Sequence, residues 1–403
     1  MQFLIQNYKR LLSKKNKIYH RKFYDNFVMN NRFIGIIGER GVGKTTFLLN
    51  FLKNNFLNNE KALYITADHV YFSENNLISF TEKFINIYDG KILCIDEIHK
   101  YKNWQQELKN IYDTYPQIKI LFSGSSSINL VKGKYDLSRR VILKKMYGFS
   151  FREYLEIKTQ KKFPVLHFND LLVSILEIEK NITNIPQILG HFKKYLKNFY
   201  YPTGLEIKSY DVFCETLMNI IEKIIFEDIS SNYLLKTQNL HIFRKIVYFF
   251  ATSPTGKLNI NKLSNSLKKD YSTIAHYLQI LKESGLLLFL SSDKYGHNFI
   301  RKAEKIYISN TNILFAINNF IGKNVNIGAM REIFVINNLF SIGKKIFYPQ
   351  KGDISCENKI FEIGGASKNQ SQIKNLKNSY LIKDDILYQD KNIIPMYLFG
   401  FLR

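Results

Sequence analysis

The chain has 403 residues, with 58 Lys and Arg against 34 Asp and Glu, a net charge of +24 and a pI of about 9.6. That length exceeds one ordinary core and implies two or three domains, while 45% hydrophobic and 23% charged residues exclude a largely disordered chain. No apolar run reaches the roughly 18 residues of a membrane helix, and MQFLIQNYKRLLSKKNK has no apolar signal-peptide region, so the expectation is a soluble cytoplasmic protein with no membrane partner. Cys94, Cys214 and Cys356 are scattered without metal-ligand spacing, which excludes a disulfide framework. The charge favours polyanions or an anionic membrane face, and the expected partner is a nucleic acid, DNA ahead of RNA. Lys, Asn, Ile, Phe and Tyr are all abundant, as in AT-rich coding, so part of the charge is compositional.

Residues 1–30 read as a basic helical arm, in which Lys9, Arg10, Lys14, Lys15, Lys17, Arg21 and Lys22 face a single acid, Asp25. The plainer alternative is a solvated helix packed on the next domain. Over residues 31–160, FIGIIG, ALYITA, KILCIDE and IKILFSG alternate with TTFLLNFLKNNF, NLISFTEKFINIY and WQQELKNIYDTY, the pattern of a parallel sheet with helices on both faces. RVILKKMYGFSFREYL closes that domain. Residues 161–245 read as a helical connector, 246–303 as a winged-helix unit and 304–403 as a mixed α/β domain.

GERGVGKT, Gly38 to Thr45, has the spacing of a phosphate-binding loop between a strand and a helix. Gly38, Glu39, Arg40, Gly41, Val42, Gly43, Lys44, Thr45 and Thr46 form the segment expected to cradle ATP. Lys44 is expected to reach the β- and γ-phosphates and Thr45 to place its hydroxyl on Mg²⁺. KILCIDE ends a buried strand in Asp96-Glu97. Adjacent acids at such a position are costly unless they bind something, which makes Asp96 a partner for Mg²⁺ and Glu97 the group that activates water. In LFSGSSS, either Ser123 or Ser125 is placed to contact the γ-phosphate or the water, and both residues serve equally well as strand-end hydroxyls. Arg139 and Arg140 are candidates for stabilising transition-state charge, in trans if the chain forms a homo-oligomer; a surface charge pair is the alternative.

These segments carry a resemblance. IDEIHKYKNW, FSGSSS and DLSRRV…GFSFREYL, in that order after a phosphate loop, resemble a prokaryotic family of AAA-type P-loop ATPases with a C-terminal domain of unknown function. KAEKIYISNTNILFAI, NIGAMREIFVINNL and KIFEIGGASKNQSQI are similar to its C-terminal region. The resemblance implies an ATPase domain, a helical connector, a winged-helix unit and a restriction-nuclease-like fold. It places Lys44, Thr45, Asp96 and Glu97 in the nucleotide roles and supplies no substrate.

Two further segments bear on partners. In KLNINKLSNSLKKDYSTIAHYLQILKESGLLLFL, Leu258, Ile260, Leu263 and Leu267 mark one apolar face, and Ile274, Tyr277, Leu278 and Leu281 a second. Asp270 or Ser272 is the expected cap of the second helix, which would expose Tyr271, Ser272, Thr273, His276 and Gln279 to DNA or to a protein partner. Near the C-terminus, Glu332 on a helix, Asp353 before a strand and Glu362 at the end of the next form a candidate Mg²⁺ or Mn²⁺ site. The alternative, favoured over a nuclease, is a noncatalytic domain in which Asp353 and Gly364-Gly365 are turn chemistry. The lysine expected two residues after Glu362 is replaced by Gly364, and Lys368 is the nearest substitute. The functions left open are an ATPase gating a DNA-associated region, a nucleotide-gated regulator that binds a protein partner, and an ATP-regulated nuclease.

Overall fold

The computed structural model describes residues 1–13, 19–56, 60–125, 137–173, 182–233, 235, 237–253, 259–292 and 303–402. The chain divides into two compact units, Met1–Gly148 and Phe149–Arg403.

The first unit is a five-stranded, all-parallel sheet in the order β2-β3-β4-β1-β5. Its strands are β1 (Phe33–Gly38), β2 (Ala62–Thr66), β3 (Ile92–Asp96), β4 (Lys119–Ser125) and β5 (Val141–Lys145). β1 and β3 are buried along nearly their whole length, as expected for strands covered on both faces. The helices are α1 (Gln2–Ser13), α2 (Lys22–Asp25), α3 (Lys44–Phe56), α4 (Tyr71–Glu74), α5 (Leu77–Tyr88) and α6 (Trp104–Thr114). α5 starts where Asn76 accepts from Ser79 N, and the Glu107 carboxylate accepts from Leu77 N and Ile78 N at 2.7 and 3.0 Å. α1 packs on β2 and α3, burying Leu4 and Tyr8. The N-terminal segment is therefore a helix docked on the domain through its apolar face. Of its basic residues, Lys14, Lys15 and Lys17 lie outside the described residues.

In the second unit, α7 (Phe151–Thr159) begins with a capping box: Ser150 Oγ accepts from Glu153 N, and the Glu153 carboxylate accepts from Ser150 N. The segment RVILKKMYGFSFREYL is thus shared, with β5 in the first unit and α7 in the second. Phe151, Phe192, Tyr195, Phe334 and Phe401 form one aromatic core. A seven-stranded mixed sheet runs β12-β11-β10-β9-β8-β6-β7. Its strands are β6 (Leu287–Ser292), β7 (Ala303–Ile308), β8 (Ile346–Tyr348), β9 (Ile354–Cys356), β10 (Lys359–Gly364), β11 (Ser379–Lys383) and β12 (Ile393–Pro395).

The helix pair expected between residues 257 and 290 occurs as Ile260–Leu267 and Tyr271–Glu283, with Leu258 outside the described residues. Ile274, Tyr277, Leu278 and Leu281 are buried, and Asp270 is the cap. β6 pairs antiparallel with β7 and parallel with β8, so the strand after the helix pair is an interior strand of the large sheet. The boundary expected at residue 303 falls inside that sheet. The motif ISNTNILFAI has a structural reason: Asn310 caps the Thr311–Phe320 helix, and fully buried Asn312 accepts from Tyr200 N and donates to Leu196 O, both at 2.9 Å. The three cysteines are free and buried. Among the described residues no helix is long and apolar enough to cross a membrane.

Candidate nucleotide site and a second carboxylate cluster

β1 ends at Gly38 and α3 begins at Lys44, so Glu39 to Gly43 form a loop at the carboxyl end of the sheet. Gly41 and Gly43 have φ of 89° and 96°, a left-handed conformation that side chains disfavour. The loop turns there so that its N–H groups lie at the head of α3, where the helix dipole favours an anion. Buried Lys44 donates from Nζ to the Gly38 and Glu39 carbonyls, at 2.9 Å each. Thr45 is exposed at the mouth, and its hydroxyl donates to Asp96 Oδ2 at 2.6 Å.

Asp96 is only 3% exposed and is bound by three hydroxyls. Besides Thr45, Tyr64 donates to Oδ2 at 2.9 Å and Ser123 donates to Oδ1. The strand order explains the serine. β4 lies between β1 and β3, and its register sets Ser123 opposite Ile36. Of the two candidate serines, Ser123 is therefore the one on Asp96, whereas Ser125 pairs in register with Gly38. Ser123 Oγ also accepts from Glu97 N at 3.0 Å. Glu97 has a left-handed φ of 51°, and its carboxylate lies 3.4 Å from Nε2 of buried His99. Burial, followed by the Asp96 charge, pushes the Tyr64 phenol well above its ordinary pKa, so it stays a hydroxyl donor at neutral pH.

These donors are hard oxygens, a hydroxyl at the mouth beside a buried carboxylate, and they fit magnesium. When bound, the ion would neutralise phosphate charge, with Thr45 and Asp96 as its protein partners. The loop is anchored by a residue that the sequence did not single out. Arg21, 3% exposed, donates to the carbonyls of Val42, Tyr147 and Gly148 at 2.8, 2.6 and 2.9 Å. In the sequence it reads only as one charge of the basic arm, and nothing in its neighbourhood marks it as buried.

Arg139 and Arg140 lie elsewhere. Both precede β5, whose first residue pairs with Phe33 at the start of β1. Within one chain, the length of β1, about 17 Å, separates them from the phosphate loop. Arg140 forms a bidentate pair with Asp113 at 2.9 and 3.1 Å and holds that carboxyl below its usual range. Arg32 donates to the Tyr112 and Tyr115 carbonyls at 3.0 and 2.8 Å, so two cations gather at the C-terminal end of α6. Arg139 is exposed.

In the second unit, Glu332, Asp353 and Glu362 belong to one polar cluster in which lysines stand among the carboxylates. Lys305 Nζ lies 3.2 Å from Glu332 and 3.7 Å from Asp353. Tyr307 donates to Glu332 at 2.5 Å, and Asp353 accepts from Ile363 N at 2.8 Å. Lys368 Nζ lies 2.6 Å from the carboxylate of Glu362, which is 1% exposed, and the Gln372 amide donates to the same carboxylate at 3.1 Å. Lys368 thus reaches back across the Gly-Gly turn. Its side chain passes so close to Gly364 that a Cβ there would lie 2.5 Å from Lys368 Cβ and Cγ. Among the described residues no group of three or more His, Cys, Asp or Glu is disposed to hold a metal ion. Burial, then the Glu332 charge, raises the Asp353 carboxyl to about 6, whereas the hydrogen bond to Glu362 raises the Lys368 pKa.

Residues 30–155 match the family model of the AAA domain, and residues 192–324 match a domain of unknown function, DUF8612. The first unit carries an AAA-type P-loop domain. The chain is 28% identical to an uncharacterized protein of Methanocaldococcus jannaschii, across 97% of this chain and 91% of the relative. It is 22% identical to an uncharacterized protein of Haemophilus influenzae, across 68% and 67%. Among solved structures it is similar to AMPPCP-bound DnaA from Aquifex aeolicus at 16% identity, with 70% of this chain and 87% of that one covered; a TM-score of 0.27 is too low to bear on function.

Proposed function

We propose that the protein is a Mg²⁺-dependent ATPase whose nucleotide state gates the activity of its C-terminal region. The observation that carries this reading is the contact of Thr45 with Asp96 beside Lys44, on a loop that can cradle phosphates. In this reading the loop N–H groups and Lys44 bind the β- and γ-phosphates, and Thr45 and Asp96 hold magnesium. Glu97 orients the attacking water and takes its proton. Ser123 fixes Asp96 through its hydroxyl and Glu97 through its backbone, so a change at the phosphates reaches both acids.

The partner is a polyanion, DNA ahead of RNA, on the strength of the +24 charge. A nucleotide-gated regulator bound to a partner protein is the second reading, favoured by one observation. Ser272 and Thr273 donate their hydroxyls to Asp270 at 2.8 and 2.7 Å, which sets a carboxylate at the head of the Tyr271–Glu283 helix. These hydrogen bonds, Thr273 first, hold the Asp270 carboxyl well below its ordinary pKa. A charged acid there repels phosphate. We read Glu332, Asp353 and Glu362 as a lysine-neutralised structural cluster in a nuclease-like region.

ATP turnover measured with and without DNA or RNA tests the whole. Lys44→Ala is expected to abolish turnover, and stimulation by one polymer names the partner. No polymer effect, together with no DNA binding at about 50 mM salt, favours the partner-protein reading. Metal-dependent cutting that is lost in Glu362→Ala and kept in Lys44→Ala would contradict the structural reading of the cluster.

A further inference from the structure

We propose that Tyr64 is a positioning residue that sets how tightly magnesium is coupled to nucleotide binding. The inference rests on the ATPase reading and adds to it a residue on a neighbouring strand. Tyr64 lies on β2, where it pairs in register with Cys94, two residues before Asp96. Side chains two apart on a strand share a face, so the phenol reaches along β3 to the carboxylate.

The two oxygens of Asp96 are bound differently. Oδ1 accepts from Ser123, whereas Oδ2 accepts from both Thr45 and Tyr64, at 2.6 and 2.9 Å. An ionised carboxylate oxygen offers about two lone-pair positions, so both positions of Oδ2 are engaged. Thr45 is exposed and its hydroxyl rotates, while Tyr64 is 7% exposed and its ring is fixed by the sheet. If the Thr45 hydroxyl turns to a cation, one position of Oδ2 is released toward the mouth, and Tyr64 alone keeps that oxygen aimed. Ser123 anchors the other oxygen, and together the two donors prevent the carboxylate from rotating. Partners of this kind set the affinity of a metal ligand without touching the metal.

Tyr64→Phe removes one oxygen atom and keeps the buried ring. The test is titration calorimetry of the full-length chain with ATP, once with excess Mg²⁺ and once with EDTA, read as the ratio of the two affinities. Tyr64→Phe is expected to lower the ratio about tenfold while leaving the EDTA affinity unchanged. An unchanged ratio would overturn the proposal, as would an equal loss under both conditions, which a merely structural role produces. Tyr64→Met carries the same expectation should Tyr64→Phe fail to fold. Wild-type chain that binds no ATP under either condition would overturn the ATPase reading and this inference with it, whereas normal wild-type coupling with an unaffected Tyr64→Phe overturns this inference alone.

Discussion

Asp96, the last residue of β3, and Glu362, inside β10 two residues before its end, are both buried carboxylates, and they differ in what holds them. Asp96 is bound by the uncharged hydroxyls of Thr45, Tyr64 and Ser123. Glu362 is bound by the ammonium group of Lys368 and the amide of Gln372, and Lys305 pairs with Glu332, whereas Asp353, 3.7 Å from the same ammonium group as Glu332, stays raised by burial and the Glu332 charge. A hydroxyl can turn aside and leave the negative charge for a cation, whereas an ammonium group has already neutralised it. A motif search sees acids at or near strand ends in both places. In the proposed reading, their partners leave the first site open to a metal ion and close the second.

The largest test of that contrast lies in the first unit. Glu97→Gln should keep ATP binding and lower turnover about 100- to 10,000-fold, the usual cost of losing a general base, as read in steady-state kinetics. Normal turnover would remove Glu97 from its role. Next comes the pH response of the second unit. The folded chain binds the Asp353 proton more tightly than the unfolded chain, because its carboxyl is raised from 3.8 to about 6. That contribution is complete below a pH of about 4 and is lost as the pH rises through about 6, a fall of up to about 3 kcal/mol. Asp353→Asn should flatten the fall in denaturant melts taken across that window.

Two smaller effects sharpen the comparison. Lys368→Ala leaves Glu362 with Gln372 alone and should destabilise the second unit by about 2 kcal/mol, with turnover of ATP unchanged. Gly364→Ala should do the same, because the added carbon pushes Lys368 aside. Arg140→Ala should change stability by no more than about 1 kcal/mol, since its pair with Asp113 is largely exposed. It should leave turnover unaltered if the chain acts alone. A large loss of turnover restored by mixing with Lys44→Ala chains would show that the arginine works on a neighbouring copy.

The same contrast governs what the sequence made legible. GERGVGKT and IDE could be read because phosphate chemistry requires residues contiguous in the chain, and alternating strands and helices announced the parallel sheet. Tyr64 and Arg21 were invisible because they meet Asp96 and Val42 only through sheet order and docking of the N-terminal segment. Arg140 stands far from the phosphate loop of its own chain for a reason the sequence holds: a residue just before a parallel strand lies at the end away from the phosphates. Lys368 was half legible. Its distance from Glu362 in sequence was known, but only the close approach at Gly364 shows that the side chain crosses the turn. The boundary at residue 303 falls inside the large sheet, because alternation within β6 and β7 does not say which larger sheet they join.

The most direct measurement is magnesium binding in the presence of ATP, followed by calorimetry in three full-length chains: wild type, Asp96→Asn and the double variant Asp353→Asn/Glu362→Gln. Asp96→Asn should abolish the magnesium-dependent gain in ATP affinity, and the double variant should retain it in full. Magnesium binding that survives in Asp96→Asn and disappears in the double variant would contradict the assignment of the open metal position to the hydroxyl-held carboxylate.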